Sequence, residues 1–153
     1  MIRYQVEKFT DILDEVKPLL ELHWKEIALN QDKIKLNPDW DSYRRLEEAG
    51  ILQIVTARES GSNQLVGYSA DFISRSLHYS DHTFAINDLV FIHPDYRVGR
   101  VALGLFAAVE EELKIKCVSL HVLHMKVEHS FERLADYLGY KKVEYNYSKY
   151  LGA

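Results

Sequence analysis

Hydrophobic and polar positions along the chain change period several times, and each change predicts an element. Ile2, Tyr4 and Val6 alternate with polar residues, the period of a half-buried strand. Ile12, Leu13, Val16, Leu19, Leu20, Trp24 and Ile27 recur at helical spacing and mark one buried face of a first helix. Thr10 and Asp11 are its candidate caps, and Pro18 predicts either a kink or a helix proper that starts only near that residue. Asn37-Pro38-Asp39 predicts a second helix, with Asn37 as cap and Pro38 in the first helical position. Trp40, Tyr43, Leu46 and Ala49 form its inner face, and Gly50 is its terminator.

Residues 51–58 and 64–74 read as two strands joined by the turn Ser60-Gly61-Ser62-Asn63, an antiparallel hairpin. Residues 75–82 are polar and loop-like. Residues 84–92 form a further strand whose apolar end predicts burial on both faces. A helix is predicted over 101–114, a strand over 117–122, and an amphipathic helix over 129–138 with Phe131, Leu134 and Leu138 inward and Gly139 as its stop. Residues 140–151 are β-rich and aromatic. The order β-α-α-β-β-β-α-β-α-β predicts an α/β (α+β) domain over 1–153, with one mixed, mostly antiparallel sheet of six to seven strands and about four helices on both faces.

Composition narrows the function classes. Hydrophobic residues are 47% and charged residues 27%, as in soluble globular domains. The net charge of -4 comes from interspersed acids and bases, with no basic stripe of a dedicated nucleic-acid binder. The single cysteine, Cys117, has no internal partner and reads as a small buried apolar residue within a strand. The N-terminus lacks an apolar signal core and no apolar run reaches membrane-spanning length, so a cytoplasmic location without membrane contact is expected. His121, His124 and His129 match no structural zinc spacing, and no metal is expected.

Candidate chemistry concentrates between Ile86 and Phe106. An apolar strand ends in His93-Pro94-Asp95-Tyr96, passes through Arg97-Val98-Gly99-Arg100 and opens directly into a helix at Val101 and Ala102. The first turn of a helix leaves N–H groups without intrahelical partners, and its dipole adds positive potential, so the turn suits a phosphate or pyrophosphate.

The element order and this segment resemble the GCN5-related N-acetyltransferase (GNAT) superfamily, and His23-x-x-Glu26, His78-Tyr79, Asp88, Gly139-Tyr140 and Tyr147-Ser148-Lys149 resemble its small stand-alone, phage-type members. Arg97 and Ala102 match the first and last positions of the superfamily's Arg/Gln-x-x-Gly-x-Gly/Ala signature. Val98 and Arg100 depart from it, and Gly99 sits one place early.

The resemblance implies an acetyl-CoA-dependent N-acetyltransferase in which an amine attacks the thioester directly. It assigns the cofactor to Phe91, Ile92, Arg97, Val98, Gly99, Arg100, Val101 and Ala102, with a strand N–H of Phe91 or Ile92 polarising the carbonyl. Asp88 is the first candidate base and His78 the second; Tyr147 is a candidate acid, because Ala135 occupies the place where many members carry a tyrosine. His23, Glu26 and Tyr79 are candidates for the acceptor wall. The acceptor is an amine of a small molecule or a protein. The alternative is a catalytically inert module of the same fold that binds CoA or a protein partner, and a homodimer through the aromatic C-terminal strand is compatible with both.

Overall fold

Alternation and helical periodicity resolve, in a computed structural model describing residues 1–152, into β1 (Ile2–Val6), α1 (Phe9–Ile27), α2 (Trp40–Glu48), β2 (Leu52–Glu59), β3 (Leu65–Arg75), β4 (Thr83–Ile92), α3 (Val101–Ile115), β5 (Leu120–Val122) and α4 (Glu132–Tyr137). Short 3-10 turns lie at Pro94–Tyr96 and Val127–His129. The sheet order is β1-β2-β3-β4-β5. Strands β1 to β4 are antiparallel neighbours, whereas β5 runs parallel to β4.

Among the described residues five strands form rather than six or seven, because the aromatic segment after Tyr140 adopts no strand there. The outermost strand, β5, pairs over three residues only and offers that segment little edge to extend. Tyr145 and Tyr147 are instead 74% and 94% exposed.

Two cores sit on the two faces of the sheet. Phe9, Ile12, Val16 and Leu19 of α1 pack on Leu52, Ile54, Tyr68, Ala70 and Phe91, joined by Trp40 and Tyr43 of α2. Leu105, Val109 and Leu113 of α3 pack on Val55, Ala57, Val66, Ile73 and Ala85. Coverage of both faces explains why β2 and β3 are buried along nearly their whole length.

Local starts and stops differ from the sequence expectations for identifiable reasons. Helix α1 begins at Phe9, not at Thr10 or Asp11, because the Phe9 N–H donates to the Glu47 carboxylate at the end of α2. It runs on through Pro18, which lies on the exposed face. Helix α2 is capped by Asp39, whose Oδ1 accepts the Ser42 N–H at 2.9 Å, rather than by Asn37.

Three helices end in the same motif, in which the residue after the C-cap turns left-handed and its N–H and the next return to the last turn. Gly50 does this for α2 at φ 71° and Gly139 for α4 at φ 89°. In α3 the position belongs to Cys117 at φ 56°, with Cys117 N–H donating to Lys114 O and Val118 N–H to Leu113 O. Cys117 is therefore an exposed cap residue and not a buried strand residue, and β5 starts only at Leu120. A left-handed L-residue costs about 1–2 kcal/mol. Cys117→Gly is expected to raise stability by about 1 kcal/mol, read as an upward shift of the denaturant midpoint at unchanged m value.

Two anchors fix the helices on the sheet. Arg58 of β2, buried between β1 and α1, binds Glu7 through Nε (2.7 Å), Glu15 through Nη2 (2.8 Å) and the Asn63 carbonyl through Nη1 (2.8 Å). Tyr4 of β1 lies over Gly104, where any Cβ would overlap its ring, and donates from its hydroxyl to the Val101 carbonyl at 3.0 Å. The second anchor sets the position of the α3 N-terminus relative to the sheet.

Candidate active site at the fork between β4 and β5

The short pairing of β5 makes a fork. Phe84, Ala85 and Ile86 pair with Leu120, His121 and Val122, and beyond them β4 continues from Asn87 to Ile92 with no strand paired on that edge among the described residues. Backbone groups alternate sides along a strand. The His93 N–H bonds Val66 O on the β3 side. Phe91 therefore also faces β3, while Val90 and Ile92 turn their N–H groups into the fork. Of the two N–H groups expected to face a ligand, Ile92 is so placed and Phe91 is not; Val90 takes its place, a residue that the apolar run gave no reason to single out.

A bulge interrupts β4 where the fork opens. Ala70 pairs with Leu89 and Asp71 with Asn87, so Asp88 is the extra residue. Asn87 points to the α3 face and is 1% exposed. Its Nδ2 lies 3.0 Å from Asp71 Oδ1, 2.9 Å from Ser69 Oγ and 3.2 Å from Leu89 O, a bond that spans the bulge. Asp71, fully buried, also holds His121 Nε2 at 2.9 Å, and His121 Nδ1 holds the Tyr140 hydroxyl at 2.7 Å. A buried carboxylate needs such partners. The chain Asn87-Asp71-His121-Tyr140 ties β3, β4, β5 and the segment after α4 together at the base of the fork. It occupies His121 fully, which separates that residue from His124 and His129.

The bulge turns Asp88 toward α2. The Tyr43 hydroxyl lies 3.5 Å from Asp88 Oδ2, a long contact. Desolvation by the cleft walls raises the Asp88 carboxyl above the usual range, opposed by Tyr43 and His124 and reinforced by Asp71. Burial and the Asp88 charge push the Tyr43 hydroxyl up to about 12, so at neutral pH it stays a donor. Asp88 is thus a carboxylate of raised basicity with one face open to solvent.

The turn into α3 is open. Gly99 is left-handed at φ 59°, and nothing lies within 4 Å of where a Cβ would stand. The N–H groups of Val98, Gly99, Arg100, Ala102 and Leu103 have no acceptor among the described residues, while Val101 N–H makes a long 3.4 Å bond to Val98 O. Arg100 is exposed beside them. Arg97 is not aimed at this turn. Its guanidinium makes a paired contact with Glu26 at 2.7 and 2.6 Å, its Nε donates to Ile92 O at 2.7 Å, and its Cζ lies over the Phe91 ring, 5.3 Å from the centroid. Hydrogen bonds from Arg97 hold the Glu26 carboxyl below its usual range. Glu26 and Arg97, expected to serve two different ligands, serve each other.

His23 is buried against Phe91 and Tyr68, with Nδ1 3.2 Å from the Tyr68 hydroxyl. Desolvation lowers its pKa to about 4, so it is neutral at pH 7. It forms part of the wall of a cavity of about 360 Å³ between α1, the loop after it, Leu89 of β4, and Lys126 and Ser148 of the C-terminal segment. His78 and Tyr79 lie in the exposed loop before β4, where the Tyr79 ring is tilted against Phe84 with centroids 6.2 Å apart. Strand rise separates the start of β4 at Thr83 from Asp88 by roughly 16 Å. Tyr147 is on the exposed segment next to Ser148. Ala135 is 6% exposed, so the helix α4 position that would carry a tyrosine does face inward, without a hydroxyl.

No protein-family model and no curated protein matches the sequence. Among solved structures, the chain is similar to an acetyltransferase from Trypanosoma brucei, with a TM-score of 0.75 and 14% identity over 99% of this chain and 100% of the other. It is similar to a ribosomal-protein-alanine N-acetyltransferase from Brucella melitensis, with a TM-score of 0.72 and 18% identity over 99% and 100% of the two chains. A third, a predicted acetyltransferase from Clostridium acetobutylicum solved with acetyl-CoA, gives 0.70 and 16% over 99% and 97%.

Proposed function

We propose that this chain, which has the fold of the GCN5-related N-acetyltransferases, transfers an acetyl group from acetyl-CoA to a primary amine. The observation that carries the reading is the continuity of three features. The open edge of β4 leads from the bulge at Asp88 to a helix turn whose N–H groups are unpaired. Acetyl-CoA fits the chemistry of that path. Val90 and Ile92 offer N–H groups to a pantetheine chain or thioester carbonyl, and the Val98–Leu103 N–H groups with Arg100 suit a pyrophosphate. The early glycine is not a defect in this reading, since Gly99 is the left-handed residue that lets the backbone turn open.

Bound acetyl-CoA supplies an electrophilic thioester carbonyl. The residues of this chain then do the rest. Asp88, raised in basicity, removes a proton from the acceptor ammonium, directly or through one water, while Tyr43 steadies the carboxylate. The Val90 and Ile92 N–H groups stabilise charge on the carbonyl oxygen. Asn87, Asp71 and His121 hold the bulge and therefore the aim of Asp88. Arg97 positions rather than binds, clamping α1 to the end of β4 through Glu26. With no hydroxyl at Ala135, the second proton, which the amine nitrogen sheds as the C–S bond breaks, passes through water to the leaving thiolate or to solvent, which a thiol pKa of about 8.5 permits at neutral pH.

The buried, hydroxyl-free Ala135 is also what favours the second reading, a CoA-binding module without turnover. Thiol release from acetyl-CoA over a panel of primary amines separates the two. Amine-dependent release with a mass gain of one acetyl group on the amine is expected. Binding of acetyl-CoA with release no faster than hydrolysis for every amine would sustain the inert module instead.

A further inference from the structure

The cavity that α1 and Leu89 line has a composition that selects among amines. Its walls are mainly apolar side chains, among them Leu20, Trp24, Ile27, Leu36 and Leu89, and Leu89 directly follows Asp88 in the chain. Leu29 and Ile34, which also line it, are 52% and 53% exposed. Both therefore leave apolar surface in solvent where they line the cavity.

The charges are equally one-sided. No carboxylate side chain among the described residues lines the cavity. Glu26, on the same helix, is held by Arg97. His23 is neutral at pH 7 because burial lowers its pKa. Among the described residues, the one charged group in the lining is the cation Lys126, and it makes no ion pair there.

We propose, resting on the acyl-transfer reading above, that the acceptor is a primary amine on an apolar body bearing one anionic group, as in an aromatic or branched amino acid. The apolar body fills the cavity, the anion meets Lys126, and the amine reaches Asp88 past Leu89. A polycationic amine is a poor acceptor, because it would bring several ammonium groups to a wall whose described residues include one lysine and no carboxylate. Cavities of this size bury most of a small ligand and draw affinity from apolar contact, with few polar groups fixing orientation.

L-Tryptophan, tryptamine and spermidine test the proposal as acceptors in the thiol-release assay and as ligands in calorimetry with the full chain. The expected order in kcat/KM is L-tryptophan, then tryptamine, with spermidine roughly 100-fold below L-tryptophan, the scale on which pocket contacts discriminate. Lys126→Ala should remove the advantage of L-tryptophan over tryptamine, roughly 3-fold for an exposed ion pair. Leu29→Glu with Ile34→Glu, at exposed positions that the fold does not need, should weaken both indoles by roughly 10-fold and improve spermidine, with acetyl-CoA affinity unchanged. A preference for spermidine in the native protein overturns the proposal while leaving the transferase reading intact. If acetyl-CoA does not bind at all, the transferase reading falls. The cavity is then judged alone by calorimetry, where absence of L-tryptophan binding at millimolar concentration overturns the proposal.

Discussion

Asp88→Asn is expected to lower kcat for acetyl transfer by roughly 10²–10⁴-fold, the range lost when a positioned general base is removed. The substitution keeps shape and hydrogen-bonding capacity, so the bulge and the Tyr43 contact persist while the basic oxygen is lost. Acetyl-CoA affinity should stay within about 2-fold, since no assigned CoA contact involves Asp88; an affinity loss as large as the rate loss would make Asp88 structural. The sign of the pH effect follows from its raised carboxyl. The base works only when ionised, so native kcat/KM falls as pH drops through a value above the ordinary Asp pKa of about 3.9. Asp88→Asn should remove that acid limb and leave the one set by the amine. His78→Asn, in the loop at the far start of β4, is expected to change kcat by less than about 2-fold; a loss on the Asp88 scale would move the base to His78.

Arg58→Ala is expected to cost about 3–5 kcal/mol, the price of stranding partly buried carboxylates. Arg58 has 5% side-chain exposure, Glu7 has 17%, and Glu15 has 46%, so the loss falls mainly on Glu7. At roughly 2–4 °C per kcal/mol for a chain of this length, the melting temperature should drop by about 10 °C. The pH dependence gives an independent reading. Burial opposes ionisation of Glu7, but bonds from Arg58 and Thr56 outweigh it and leave its carboxyl below the usual range; bonds from Arg58 do the same for Glu15. Groups with depressed folded-state pKa values contribute stability above the unfolded value of about 4.3 and lose it as pH falls. Native protein should therefore weaken steeply below about pH 4.5, and Arg58→Ala should show a shallower slope there. An unchanged slope would place the acid lability elsewhere, with His23 the next group, since its neutral form is the one the core accepts.

How far the sequence announces this molecule depends on the range of the interactions involved. Elements built on local periodicity are legible: β1, the β2–β3 hairpin, β4 and α3 lie where alternation and helical spacing put them. The aromatic end is not, because Tyr145 and Tyr147 have strand propensity but β5 leaves them little edge to join. Cys117 misleads for the opposite reason, since an apolar residue stands where backbone geometry favours glycine.

At the site, the open turn before α3 is readable from the run Arg97 to Ala102, and Asp88 from being a charge in an apolar strand. The direction of Arg97 is not readable. Its partner, Glu26, is 71 residues away, and only the fold brings them together. Asp71, His121 and Tyr140 are similarly unremarkable one by one. What unites them is that β5 leaves the sheet after Val122, so three strands and the chain after α4 meet at one buried point.

The central claim is that the turn into α3 receives the pyrophosphate of CoA while the fork receives its pantetheine arm. Calorimetric titration with acetyl-CoA and with S-acetylpantetheine, which keeps the thioester and arm but lacks the pyrophosphate, tests it most directly. Saturable acetyl-CoA binding is expected, with affinity roughly 100-fold weaker for S-acetylpantetheine, about 2.7 kcal/mol from charge-assisted bonds to the turn. Equal affinities would contradict the assignment of the turn, and no acetyl-CoA binding at millimolar concentration would contradict the account as a whole.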